Sequence, residues 1–160
     1  MASTKTHEKN TIVIPVDGSK NSHRAFTWYC EHLLKENDKL IIVHAYAVPP
    51  MQAAKHSSVD FKNQLLEWQI LVQKAEEKAK KVLKPFEDIA KSLKVQVSSR
   101  FLYAGGAAGE VVVKTAKDEG ASLIIIGSRG LGSIRRTIMG SVSDYIVHHT
   151  STPVIVVPPG

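Results

Sequence analysis

The sequence predicts an α/β protein, an open parallel β-sheet with helices on both faces. Two features predict it. Short runs rich in β-branched residues alternate with runs of helical periodicity, in the order β-α-β-α-β-α-β-α-β. Most of the short runs (TIVIPV, LIIV, SLIII, PVIVV) are apolar at successive positions. Strands read that way when helices cover both of their faces.

Each element follows in turn. Thr11–Val16 is the first strand and stops at Asp17-Gly18-Ser19. Ser19 is a natural N-cap for a helix that places Ala25, Phe26, Tyr29, Cys30 and Leu33 on one side. Asp38–Tyr46 contains the second strand. Ala47–Asp60, with Pro49 and Pro50, reads as a long loop of the lid or unstructured kind. From about Phe61 to Leu93 apolar residues recur every three or four positions: Leu65, Trp68, Val72, Ala75, Ala79, Val82, Phe86, Ile89 and Leu93. That spacing suits a stripe packed on the sheet, and it also resembles a coiled-coil heptad. Pro85 within it should kink or split the helix. Lys94–Tyr103 alternates apolar and polar residues, as a strand with one wetter face near a sheet edge does. Ala108 to Ala116 is helical and ends at Gly120. Ala121–Ile126 is a buried strand, Gly127–Gly140 a glycine-rich loop, Ser141–His149 a helix and Pro153–Val157 the last strand.

The chain has 160 residues, enough for one domain with a real core. Residues 1–10 read as a flexible polar tail and 11–160 as a single domain. The start has no apolar segment of the secretory type, and no apolar run is long enough to span a membrane. With the single cysteine, Cys30, no internal disulfide can form. A cytoplasmic protein is the expectation. Cys30 reads as a small packed hydrophobe. The net charge of +6 is scattered over lysines, with no basic stripe interleaved with aromatics. Neither nucleic acid nor membrane is therefore an expected partner, although charge of this sign leaves a salt-sensitive binder as a third reading.

The chemistry concentrates after the fourth strand. Gly127-Ser128-Arg129-Gly130 leads through Arg135 and Arg136 to Gly140-Ser141-Val142-Ser143. Glycines let backbone N–H groups approach an anion, and a helix N-terminus offers unpaired N–H groups backed by its dipole. Ser128, Ser141 and Ser143 add hydroxyls and the arginines add charge, so the pattern suits a polyphosphate. It is neither a Walker loop nor a dinucleotide fingerprint. Asp144 should point away from a phosphate and form a capping pair with Ser141. No histidines have metal-ligand spacing, and no nucleophile elbow is present. His44 reads as a packed residue, and Trp28 and Trp68 as core.

The spacing Gly127-x2-Gly130-x9-Gly140-Ser141 resembles the ATP-binding pattern of the universal stress protein family. The PVDGS end of the first strand, HAY at the end of the second, LIIIGSRG and TPVIVV resemble that family's landmarks, so the likeness spans Thr11 to Val157. The resemblance implies a Rossmann-like five-stranded parallel sheet of order 3-2-1-4-5. It implies ATP or AMP as ligand, with Mg2+ accompanying a triphosphate. Pro15, Val16 and Asp17 would then contact adenine and ribose, and Ala45 would line the adenine pocket by its backbone. Gly127, Arg129 and Gly130 would wrap the ribose and phosphates. Gly140, Ser141, Val142 and Ser143 would hold the phosphates. In that strand order the last strand is an apolar edge, which implies a homodimer through Val154, Ile155, Val156 and Val157. The expected function is a nucleotide-dependent regulatory module in stress response. The alternatives are a slow ATPase or phosphoryl-transfer enzyme, and a dimeric scaffold without nucleotide. No clear general base supports an enzyme.

Overall fold

The computed structural model describes residues 10–48, 50–51, 58–103, 107–129 and 139–160. Five parallel strands, β1 (Thr11–Pro15), β2 (Lys39–Tyr46), β3 (Gln96–Tyr103), β4 (Leu123–Gly127) and β5 (Val154–Val157), form one sheet in the order β3-β2-β1-β4-β5. The helices are α1 (Lys20–His32), α2 (Ser58–Ser92), α3 (Ala108–Asp118) and α4 (Ser141–His149). Among the described residues no helix is long and apolar enough to cross a membrane.

Alternate strand residues point to opposite faces, and each face carries its own core. Ile12, Ile14, Leu40, Ile42 and Ile125 pack with Phe26 and Tyr29 of α1 and Leu83 and Phe86 of α2. Val13, Ile41, Val43, Ile124 and Ile126 pack with Val112 and Ala116 of α3 and Ile146 of α4. Helices on both faces explain why these strands carry no polar alternation. Each buried large aliphatic or aromatic side chain contributes about 1.5–3 kcal/mol relative to exposure.

Helix α1 starts as the sequence predicts. Ser22 N–H donates to the Ser19 hydroxyl at 3.1 Å. Gly18 has φ of +79°, a left-handed turn that a side chain would strain. At the far end of α1, Asp38 is 3% exposed and gathers three donors. They are Tyr29 Oη at 2.5 Å, Lys35 N at 3.0 Å and Asn10 Nδ2 at 3.1 Å. Asn10, placed in the tail by sequence, is thus tied to the turn before β2. Its carbonyl also accepts Lys39 N–H at 2.8 Å. Cys30 is half-buried. Burial, and to a lesser degree Glu31, pushes its thiol up to about 11, so it stays protonated and weakly nucleophilic at neutral pH.

Three expectations need correction. Of the kink or split expected at Pro85, the split does not occur, and α2 runs unbroken from Ser58 to Ser92. Pro85 and Lys81 are both exposed, so the carbonyl that proline leaves without an N–H partner is on the wet side. The buried line of α2 is Ala79, Leu83, Phe86 and Ala90, with Ile89 37% and Leu93 45% exposed. The stripe read from the sequence placed Val82, Ile89 and Leu93 on that line, and of these Val82 packs partly against the core. A straight helix on a sheet keeps its 3.6-residue period and drifts off a 3.5-residue repeat. Finally, Trp28 and Trp68 are half-buried rather than central. Trp28 lies against the core at its rim and stacks on His32 with ring centroids 5.1 Å apart. The long loop expected over Ala47–Asp60 gives way to α2 at Ser58, and its residues 52–57 lie outside the described set. Strand β3 is an edge of the sheet, as its alternation predicts, although the side chains of 99–103 are not described.

Candidate functional site at the carboxyl ends of β1, β2 and β4

From β1 the chain builds outward through β2 to β3, then returns to the other side of β1 for β4 and β5. The strand order therefore reverses between β1 and β4, and open α/β sheets bind ligands outside the carboxyl ends of strands at that point. The register Pro15↔Val43, continued two residues, sets Asp17 level with Ala45. The register Val13↔Ile124, continued four residues, sets Asp17 level with Ser128. Ala45, next to last in β2, thus lies level with Asp17 and Ser128, which follow the ends of β1 and β4.

Each member is held by local structure. Val16 is buried and its N–H donates to Val43 O at 2.8 Å. Val16 O lies 2.8 Å from His44 Nδ1. His44 thus ties the ends of β1 and β2 together, a positioning contact that the sequence reading recognised only as packing. One Asp17 carboxylate oxygen accepts Ser19 N–H at 2.9 Å, so the half-buried Asp17 shapes the turn into α1. Ala45 is half-buried on β2.

Gly127 is the last residue of β4 and is buried. A Cβ built there would lie 2.7 Å from the carbonyl oxygen of Asn21 and 2.9 Å from its carbon. Glycine is required because the first turn of α1 rests directly on this backbone. Nothing in the sequence names Asn21 as the neighbour. Ser128 continues the strand, its N–H donating to Val157 O at 2.9 Å.

The far end of the glycine-rich segment returns to the same place. Gly140 is the N-cap of α4, and its N–H donates to Ser128 O at 2.6 Å and to Ser143 Oγ at 3.0 Å. Ser143 Oγ also lies 2.9 Å from the carbonyl oxygens of Ser128 and of Gly140. The capping pair expected between Ser141 and Asp144 does not form; Ser143 reaches back to Gly140 N–H in its place. Asp144, in the first turn of α4, is exposed beside His148, with 3.7 Å between Oδ1 and Nδ1. Ser141 is exposed, Val142 half-buried against the α3–α4 core and Ser143 buried. The first N–H groups of any helix lack partners within it, so α4 presents donors beside the strand ends. Among the described residues, two buried polar atoms here lack a hydrogen-bond partner, Ser128 Oγ and Arg129 Nε.

The structure thus brings together Pro15, Val16, Asp17, Gly127, Arg129 and Gly140 to Ser143, with Ala45 one strand away. Gly130, Arg135 and Arg136 lie outside the described residues. No cluster of His, Cys, Asp or Glu suited to a metal occurs among the described residues.

Comparison with known proteins identifies the family. The family model of the universal stress protein family matches residues 9–158. The universal stress protein YxiE of Bacillus subtilis is 27% identical over 150 residues, spanning 92% of this chain and 98% of that protein. A universal stress protein solved in complex with cAMP is 26% identical, with a TM-score of 0.64 over 94% of this chain and 98% of that one. A universal stress protein family member from Arabidopsis thaliana, solved with AMP bound, shares the fold at 19% identity and a TM-score of 0.63. It spans 94% of this chain and 92% of its own. With the family model covering nearly all of the chain, this chain belongs to the universal stress protein family.

Proposed function

We propose that the chain binds an adenine nucleotide, ATP or AMP, and acts in the cytoplasm as a nucleotide-dependent regulatory module in stress response. The observation that carries this reading is the hydrogen bond from Gly140 N–H to Ser128 O. It sets the N-terminus of α4 beside the ends of β1 and β4, a cradle of N–H donors for phosphate. Pro15, Val16 and Asp17 face adenine and ribose in this reading, and the Ala45 backbone lines the adenine pocket. Gly127, Arg129 and Gly130 wrap the ribose and phosphates. Gly140, Ser141, Val142 and Ser143 form the phosphate end. The unpartnered donors Ser128 Oγ and Arg129 Nε fit an anion. Mg2+ reaches the site on the triphosphate, whose charge it offsets. The cAMP and AMP found on two proteins of this fold support a nucleotide.

Calorimetric titration with ATP and with AMP, each with magnesium, tests the reading. Wild type is expected to bind. Gly140→Val, which crowds the cradle, is expected to bind at least about tenfold more weakly, equivalent to about 1.4 kcal/mol. Absence of binding by wild type at millimolar nucleotide overturns the reading.

The same proposal includes a homodimer through β5. Val154, Ile155 and Val156 are only half-buried on an edge strand, and two copies of β5 paired across a two-fold axis would cover them. Light scattering at high micromolar protein is expected to give twice the chain mass; a monomer there removes the dimer.

A further inference from the structure

Helix α2 carries a second apolar surface, and we infer that it is a docking face for a second copy of this chain, paired antiparallel through Leu66 and Ile70. The inference stands apart from the nucleotide reading and from the β5 pairing, because α2 packs on β2 and β3 while β5 is the far edge of the sheet. Val82 marks where α2 passes the carboxyl ends of the strands. A Cβ built at Gly18, just beyond β1, would lie 3.6 Å from Val82 Cγ1. From Val82 back to Phe61 is about 30 Å of helix axis at ~1.5 Å per residue. No side chain from Phe61 to Lys78 is buried, whereas Ala79, Leu83, Phe86 and Ala90 are. The leading part of α2 is therefore an arm with little of the core beneath it.

The outer side of a surface helix is normally polar. Here it is not. Leu65, Trp68, Val72 and Ala75 are half-buried and continue the inward line of Ala79 and Phe86. Leu66 and Ile70, four apart, lie about half a turn round from that line, and each is 52% exposed. Between Phe61 and Gln73 the only charged residues are Lys62 and Glu67, while charges are dense from Lys74 onward. Apolar residues on both sides, with few charges, mark a helix that is covered on both sides.

The occupant is a second copy because the face is complementary to itself. A two-fold axis crossing the helix at Ile70 runs two arms antiparallel. The two Ile70 side chains then meet, with Leu66 of each copy beside Ile70 of the other. Lys62 precedes Ile70 by nearly as many residues as Glu77 follows it, so Lys62 of one copy comes level with Glu77 of the other. Within its own chain Glu77 accepts the Gln73 amide at 3.3 Å, a neutral donor that does not offset its charge. Glu67 and Lys74 are related in the same way and lie on one side of the helix. Parallel pairing would instead set Glu67 against Glu67 and Lys74 against Lys74, which repel. The overlap from Lys62 to Glu77 is about 24 Å of helix. That is a small interface, of the weak and reversible class.

A cysteine at the axis tests the pairing, because a disulfide traps a weak contact. Ile70→Cys in the full chain, with Cys30→Ser, is oxidised at high micromolar protein and read on a non-reducing gel. It is expected to give mainly cross-linked dimer. Lys81→Cys in the same background, on the same side of α2 but far from the axis, is expected to stay monomeric. Adding Leu66→Glu to Ile70→Cys is expected to lower the dimer yield at least about fivefold through like charges facing each other, with the melting temperature unchanged because Leu66 is exposed. Adding Lys62→Glu is expected to lower the yield, and Lys62→Glu with Glu77→Lys to restore it. A yield at 70 no higher than at 81, a yield unmoved by Leu66→Glu, or no rescue by the charge exchange overturns the inference. Pairing through β5 alone keeps the arms apart and gives the first of those results. Sedimentation with phosphatidylserine vesicles that Leu66→Glu abolishes, without a cross-link at 70, assigns the face to a lipid surface and also overturns it.

Discussion

Asp38→Ala is expected to lower stability by about 3 kcal/mol or more. Asp38 is buried, and its removal strands three donors at once: the Tyr29 hydroxyl, Lys35 N–H and the Asn10 side-chain amide. Each buried donor left unpaired costs about 1–3 kcal/mol. Asp38→Asn keeps the shape and is still expected to destabilise, because its amide turns a donor toward donors. Urea unfolding at neutral pH reads both variants, and near wild-type stability for Asp38→Ala would contradict the network's role. The same cluster sets the alkaline limit. Burial, and then Asp38, hold the Tyr29 phenol well above its ordinary value of 10.0. A raised native pKa keeps the phenol neutral in the fold while the unfolded chain ionises. Its stabilising contribution is complete below pH 10 and is lost as pH rises beyond it. Cys30 acts with the same sign from its ordinary 9.0 toward about 11. Stability should therefore fall from pH 9 upward, and Tyr29→Phe should flatten the part of that decline above pH 10.

Gly127→Ala is the second large effect. Its new methyl would sit 2.7 Å from a backbone oxygen of α1, and backbone cannot turn aside as a flexible side chain can. Helix α1 is anchored by Ala25, Phe26 and Tyr29 in the core, so the strain falls on the end of β4. Overpacking of this kind costs about 1–3 kcal/mol. It also displaces Ser128 and Arg129, so nucleotide affinity should drop together with stability. Parallel urea unfolding and calorimetry check this, and a variant with wild-type stability and affinity would show that the contact yields freely.

Much of this was legible in the residues. The apolar runs required a doubly covered parallel sheet, and the strand–helix alternation held at every element. Ser19 is the N-cap that its side chain promised, and Gly18 takes the left-handed turn after Asp17. The glycine spacing singled out the segment whose ends meet at the reversal of strand order. Where the reading went wrong, it extended a local rule too far. A run of three-and-four spacings does not say which neighbouring rows face fully inward, and only the sheet beneath α2 buries Leu83 and Ala90, leaving Val82 partly buried and Ile89 exposed.

By itself, then, the sequence determined the fold class, the element order and the place of the glycine-rich segment in the chain, because periodicity, turn chemistry and glycine spacing are local properties. The tertiary structure alone decided what each side chain there is free to do. It bound Asp17 to a turn, His44 to Val16 and Ser143 to the ends of the glycine-rich segment, and it left Ser128 and Arg129 with unpaired donors. The physical reason is that a hydrogen bond depends on which distant residues share a few ångströms of space. Ser128 and Ser143 are alike in sequence, and only the meeting of β4 with α4 makes Ser143 the fastener.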